Sequence, residues 1–310
     1  MSDEGVEVWS GGVNTWECDE MGHMNVRFWV AKAQEGLAGL AAELGMPRAY
    51  AANAEATLVV REQHIRFLRE AHAGAALRMT GGVFELGDSD ARLLLVIRHP
   101  DGQPAATFQL VVEHVTSGDL RPFPWPARPR ARAEALRIDV PTFAAARSID
   151  LSPVASTANL SRALELDLKR IGLGAIVPAE CDVFGRMRPE IFIGRVSDGV
   201  ARLFGESRPG PVAAEGESPP RIGGAVLEYR VLHLAWPEAG ERVELRSGFA
   251  GCDARTRRVM HWMLDPESGR PWASAEAVVV SFDLDKRKVV DISEEAQAAF
   301  RAASPAGLAL

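Results

Sequence analysis

Asp19, His23 and Asn25 stand four and two residues apart in the segment Trp16-Glu17-Cys18-Asp19-Glu20-Met21-Gly22-His23-Met24-Asn25, directly ahead of an apolar run. An acid, an imidazole base and an amide are thus brought to one short stretch, the set needed for proton transfer at a polarised carbonyl. From Val26 the apolar residues Trp29, Val30, Ala33, Leu37, Leu40 and Leu44 fall at steps of three and four, which predicts a helix with one buried face. Gly45 and Pro47 stop it, glycine first and proline just beyond. Asn25 fits the N-cap. A helix N-terminus carries unpaired N–H groups and partial positive charge, so acid, base and backbone donors converge at its start. That makes this stretch a candidate reaction centre.

The elements that must hold it follow in order. Residues 6–14 read as a first strand. After Tyr50 come four alternating runs, Thr57–Leu68, Ala76–Leu86, Ala91–His99 and Pro104–Val115, with the turn His99-Pro100-Asp101-Gly102 between the last two. From Gly118 to about Arg147 the pattern breaks into Pro- and Arg-rich sequence, read as a solvated surface linker because proline cannot join a central strand.

The second half repeats the first. Glu180-Cys181-Asp182, Gly185 and Met187 restate Glu17-Cys18-Asp19, Gly22 and Met24 at a constant offset of 163 residues. Pro189 falls at the first helical position, and Phe192, Val196, Val200 and Leu203 keep helical spacing up to Gly205. A Pro/Gly/Glu-rich loop over Gly210–Gly224 precedes four further strands, Ala225–Leu234, Arg242–Phe249, Arg258–Leu264 and Trp272–Asp283. Two copies of so long a period mean a duplicated domain, not a solenoid. The expected layout is a first domain over 1–118, a linker over 119–147, a second domain over 148–290, and a tail over 291–310, helical and then frayed. The copies differ where chemistry is concerned: Arg186 and Arg188 replace His23 and Asn25, while Asp182 is kept and Glu35 becomes Asp198. The second motif therefore reads as degenerate, or converted to holding an anion.

Composition excludes several classes. At 310 residues, 47% hydrophobic and 25% charged, the chain has apolar surface for a core in each half. A formal charge of −7 speaks against nonspecific nucleic-acid binding, and no apolar run has the length of a membrane span. Met-Ser-Asp-Glu-Gly lacks both parts of a signal peptide, and Cys18, Cys181 and Cys252 show no paired spacing, so a cytoplasmic setting is expected. Cys18 and Cys181 read as equivalent small buried residues. The other six histidines show no H-E-x-x-H or similar spacing, so no metal site and no cofactor is expected.

The motif D-x-x-x-H-x-N, with an aromatic residue four positions on and an acid in the following helix, resembles the 4-hydroxybenzoyl-CoA thioesterase-like group of hot-dog proteins, in particular its acyl-CoA and acyl-ACP thioesterase branches. Asp19, His23, Asn25, Trp29 and Glu35 carry the match, with Trp29 where tyrosine is commoner. The resemblance implies an α+β fold, a duplicated hot dog in which each antiparallel sheet wraps a long helix. It implies hydrolysis of an acyl thioester to a free acid and a thiol such as CoA, with acyl-CoA or an acyl-carrier protein as partner and assembly of such chains into oligomers. On that reading Asp19 is a general base on water or a nucleophile, and His23 and Asn25 orient the acid, water or carbonyl. Glu35 reaches the far side of the water. N–H groups near Gly22 and His23 hold the developing oxyanion, and Trp29 contacts substrate; Arg186 and Arg188, outside the matching motif, are expected to contact substrate only if the second motif holds an anion. A non-catalytic acyl-CoA binder or sensor and a hot-dog enoyl-CoA hydratase are the alternative readings.

Overall fold

A computed structural model describes residues 5–204, 222–283, 285–286 and 288–310. The expected end of the second helix at Gly205 and most of the Gly210–Gly224 loop lie outside the described residues. The chain forms two compact units, one of Met1–Arg147, Ile176–Gly194 and Trp236–Gly240, the other of Ser148–Ala175, Arg195–Ala235 and Glu241–Leu310. The second copy of the motif thus groups with the first unit, which differs from the expected boundaries.

In the first unit, strands β1 (Val6–Gly12), β2 (Ala56–Phe67), β3 (Ala76–Leu86), β4 (Asp90–Arg98) and β5 (Pro104–Thr116) form an antiparallel sheet in the order β1-β3-β4-β5-β2. Helix α1 (Val26–Glu43) lies against β1, β3 and β4. Its buried stripe of Trp29, Val30, Ala33, Leu37 and Leu40 is the one the periodicity predicts. The spacing also allows a very close approach. Gly36 faces the Met79 sulfur and Gly39 faces the Val8 carbonyl oxygen, each too near for a Cβ. Gly39→Ala is therefore expected to push the helix off β1 and cost about 1–3 kcal/mol. Urea denaturation reads the loss, and unchanged stability would mean that the helix sits further from the strand.

The Pro/Arg-rich segment is not the surface linker the sequence suggests. Ala127–Ala135 forms helix α2, with Pro129 and Ala133 buried. Trp125 is buried, stacks on His114 with ring centroids 4.9 Å apart, and donates its indole N–H to Asp90 O. Ile138 and Phe143 pack with Leu94, Val96 and Ala144, and the Arg66 guanidinium caps the carbonyls of Phe143 and Ala145. The stretch adds only isolated bridges to the sheet, Pro122 to Val115 and Arg137 to Val83, and its scattered apolar residues pack on Leu94 and Val96.

In the second unit, helix α3 (Leu160–Glu165) precedes β6 (Lys169–Ala175), and α4 (Pro189–Gly199) begins on the first unit's segment and ends in this one. Instead of running through Val200, the helix breaks there and resumes as α5 (Ala201–Phe204). Strands β7 (Ile222–His233), β8 (Arg242–Cys252), β9 (Thr256–Leu264) and β10 (Pro271–Asp283) with β6 give the order β7-β10-β9-β8-β6, and β11 (Lys288–Val290) adds to β10. This is the first unit's strand order in reverse notation: the first strand of each repeat ends the sheet beside its third. The fold is a duplicated hot dog. After helix α6 (Glu294–Ala302) the chain does not fray as expected. Leu310 is buried, its carbonyl accepts from Thr157 N, and the buried Trp262 indole donates to Ala309 O. Among the described helices none is long and apolar enough to cross a membrane.

Candidate active site

Residues 18–25 form a turn closed by Asp19 itself. Its Oδ1 accepts from the backbone N–H of Met21 at 2.9 Å and of His23 at 3.2 Å, and its carbonyl accepts from Gly22 N. Gly22 adopts φ +79°, which a residue with a Cβ rarely takes, so glycine is required at that corner. The amides of Gly22 and His23, expected to face an oxyanion, are thus spent within the turn. Both amide bonds fall on Oδ1 or the main chain, so Oδ2 is the carboxylate oxygen left to act outside the turn.

Asn25 is the cap the sequence predicts. Its side chain accepts from Arg27 N at 2.9 Å, and its backbone carbonyl accepts from Phe28 N. Trp29 is 4% exposed and donates to Met24 O at 3.1 Å, with its ring edge-on to Phe67. It anchors the turn from below rather than lining a surface for substrate. Glu35 accepts the Trp9 indole N–H at 2.6 Å, which holds it to β1 rather than to the Asp19 turn. It also lies near Glu190, whose carboxyl is pushed above its usual range chiefly by burial, with Glu35 adding to the effect and Arg188 and Arg27 opposing it.

Four residues to which the sequence assigns no role in the site support the turn. The buried Lys32 ammonium meets Glu17 at 2.8 Å, and the other Glu17 oxygen accepts from Asn14 N. This pair pins the segment entering the turn to α1. His23 Nε2 lies 3.4 Å from Glu70, and the His23 ring meets His72 edge-on at 5.0 Å. An isolated antiparallel bridge between His23 and His72, with Met24 N donating to Ala71 O, fixes this register. Glu17 could have been found from its copy at Glu180; Glu70 and His72 come from beyond β2 and carry no local signal.

The second motif repeats the backbone with different chemistry. Asp182 Oδ1 accepts from Phe184 N and Arg186 N at 2.8 and 3.0 Å, and Gly185 takes φ +82°. Where His23 meets Glu70, Arg186 folds back on Asp182 at 3.5 Å and over the Phe184 ring. Arg188 caps Ala179 O and pairs with Glu190 at 3.2 Å. Asp182 and Arg186 line a cavity of about 50 Å³ with Gln34, Tyr50, Thr57 and Trp236, room for a water or two rather than an acyl chain. Burial and the neighbouring Asp182 push the Tyr50 hydroxyl well above its ordinary range, and it donates to Leu58 O. The three cysteines are unpaired and half-buried, so Cys18 and Cys181 are less buried than expected; they nonetheless match, each contacting the carbonyl four residues back at 3.6 Å.

The family model of the thioesterase-like superfamily matches residues 13–136 and again 176–300, and the chain belongs to that superfamily. Among solved structures it is similar to a putative oleoyl thioesterase of Lactobacillus plantarum, with TM-score 0.66 and 11% identity over 89% of this chain and 96% of that one. It is also similar to an acyl-ACP thioesterase of Bacteroides thetaiotaomicron, with TM-score 0.63 and 10% identity over 90% and 100% of the two chains. The 12:0-ACP thioesterase of Umbellularia californica gives TM-score 0.62 and 13% identity over 88% and 93%. At such identities the likeness is one of fold. A search of curated protein sequences gives no match.

Proposed function

We propose that one site, built on Asp19, carries out the acyl thioester hydrolysis that the family assignment gives this chain, on an acyl-CoA or acyl-carrier-protein ester. The observation that supports it is the asymmetry of the two turns. Both hold an aspartate by one oxygen, yet only the first sets it four residues before an imidazole that pairs with a carboxylate and six before an asparagine cap. Asp19 Oδ2 acts as base on water or as nucleophile on the thioester carbon, and His23, oriented by Glu70, carries a proton. Asn25 holds the start of α1, and Glu35 keeps β1 against it. In the second turn the guanidinium of Arg186 faces Asp182 and leaves no base, so Arg186 and Arg188 hold structure or an anionic group of the substrate. The unpaired cysteines suit a reducing cytoplasmic setting.

A panel of acyl-CoA esters of graded chain length, assayed by release of free thiol, tests the reading. Turnover on at least one ester is expected. Binding of the panel without thiol release from any member, or from acyl-carrier-protein esters, would make the chain a binder instead.

A further inference from the structure

We infer that His23 Nε2, one oxygen of Glu70 and His72 Nε2 form a binding site for a divalent cation of the zinc type, with a fourth position open to solvent. The sequence suggested no metal site, because the three ligands do not share one local motif: His23 comes from the turn before α1, and Glu70 and His72 from the segment after β2. The fold brings them together through the His23–His72 bridge, and their ligand atoms lie within 4.8 Å of one another.

The distances suit such an ion. Zinc–nitrogen and zinc–oxygen bonds of about 2.0–2.1 Å in a tetrahedron place neighbouring ligand atoms roughly 3.3 Å apart. Glu70 Oε2 lies 3.4 Å from His23 Nε2 and 3.9 Å from His72 Nε2. The remaining closure falls to His72, whose side chain is 58% exposed and has room to turn.

The tautomer is also set. His72 Nδ1 lies 3.0 Å from the Gly22 carbonyl oxygen. A carbonyl only accepts, so Nδ1 carries the hydrogen and the Nε2 lone pair points at the cluster. A ligating histidine whose other nitrogen donates to a backbone carbonyl is the usual outer-shell arrangement of zinc sites. Two imidazoles and a carboxylate are a donor set zinc accepts readily, and three protein ligands leave a position for water.

The second repeat serves as an internal control. There the matching bridge joins Arg186 to Glu238, with Trp236 standing two residues before Glu238 as Glu70 stands before His72. A guanidinium and an indole replace an imidazole and a carboxylate, and neither ligates a cation. One cation per chain is therefore expected, not two. Occupancy would take the His23 lone pair, so a bound cation and proton transfer by His23 exclude each other.

The full-length protein, stripped with a chelator and dialysed, is titrated with zinc chloride by calorimetry in a non-coordinating buffer; cobalt(II) is then added to a second sample for its visible spectrum. Saturable binding of one equivalent and intense tetrahedral cobalt bands are expected. His72→Ala and Glu70→Gln should each weaken zinc binding by about tenfold or more, while circular dichroism reports an unchanged fold. The exposed position of His72 makes its variant the safer of the two to fold. Absence of saturable binding to the wild-type chain would overturn the site. So would full-strength binding, or unchanged cobalt bands, in a folded His72→Ala variant.

Discussion

Asp19→Asn is expected to lower thioester hydrolysis by about 10²–10⁴-fold, the usual cost of removing a positioned base. Asparagine keeps an Oδ1 that can accept from Met21 N and His23 N, so the turn and the start of α1 should retain their shape. What disappears is the charge on the second oxygen. A non-hydrolysable acyl-CoA analogue should then bind the variant about as well as the wild type, because the loss falls on the chemical step. Asp182→Asn is the matched control. Its carboxylate holds an equivalent turn, but beside a guanidinium instead of an imidazole, so turnover should stay within a few-fold of wild type. Wild-type turnover by Asp19→Asn would remove that residue from the chemistry. Equal large losses from both variants would mean that the two turns share the work.

Acid should destabilise the second unit steeply, and His261 should account for a distinct share. Its ring is buried on β9, with Ser247 Oγ 2.7 Å from Nδ1 and the Tyr229 ring 6.4 Å away, and burial pushes its pKa down to about 3. The folded state therefore holds the neutral ring, while the unfolded chain takes up a proton near the ordinary value of 6.5. Above that pH neither state is protonated and the histidine costs nothing. As pH falls below it only the unfolded chain gains the proton, and stability drops by about 1.4 kcal/mol per pH unit until the folded pKa is reached. His99 and His114 in the first unit are shifted the same way by burial, so other slopes overlap. His261→Gln isolates this one: urea midpoints measured near neutrality and in mild acid should converge in the variant relative to wild type. An unchanged pH slope in a folded variant would mean that His261 is protonated in the native protein.

The repeat was readable from residue types alone. Glu-Cys-Asp, Gly and Met recur at one offset because two turns of the same shape need the same glycine corner, the same acid to close them and the same buried methionine. Helix α1 was readable for a similar reason: its caps and apolar stripe are local, and propensity, period and stop signals agree. The strands were readable as short apolar runs bounded by turn residues, although β4, β9 and β10 proved buried on both faces.

Other features depended on what met them in space. The Pro/Arg-rich segment lacks any period, so nothing local predicted that Trp125, Ile138 and Phe143 would find apolar partners on the sheet. The C-terminal tail looked frayed for the same reason, until Leu310 met Leu232 and Met260 and the Ala309 carbonyl met the Trp262 indole. At the site, sequence determined the acid, the imidazole and the cap, since these stand within one turn. Tertiary structure decided their partners. Amides expected to hold an oxyanion were consumed by Asp19, Glu35 was held by Trp9, and Glu70 and His72 reached His23 from the end of β2. A local pattern fixes which groups stand near one another along a turn, whereas a hydrogen bond or ligand set between distant segments depends on strand register, which no short spacing encodes.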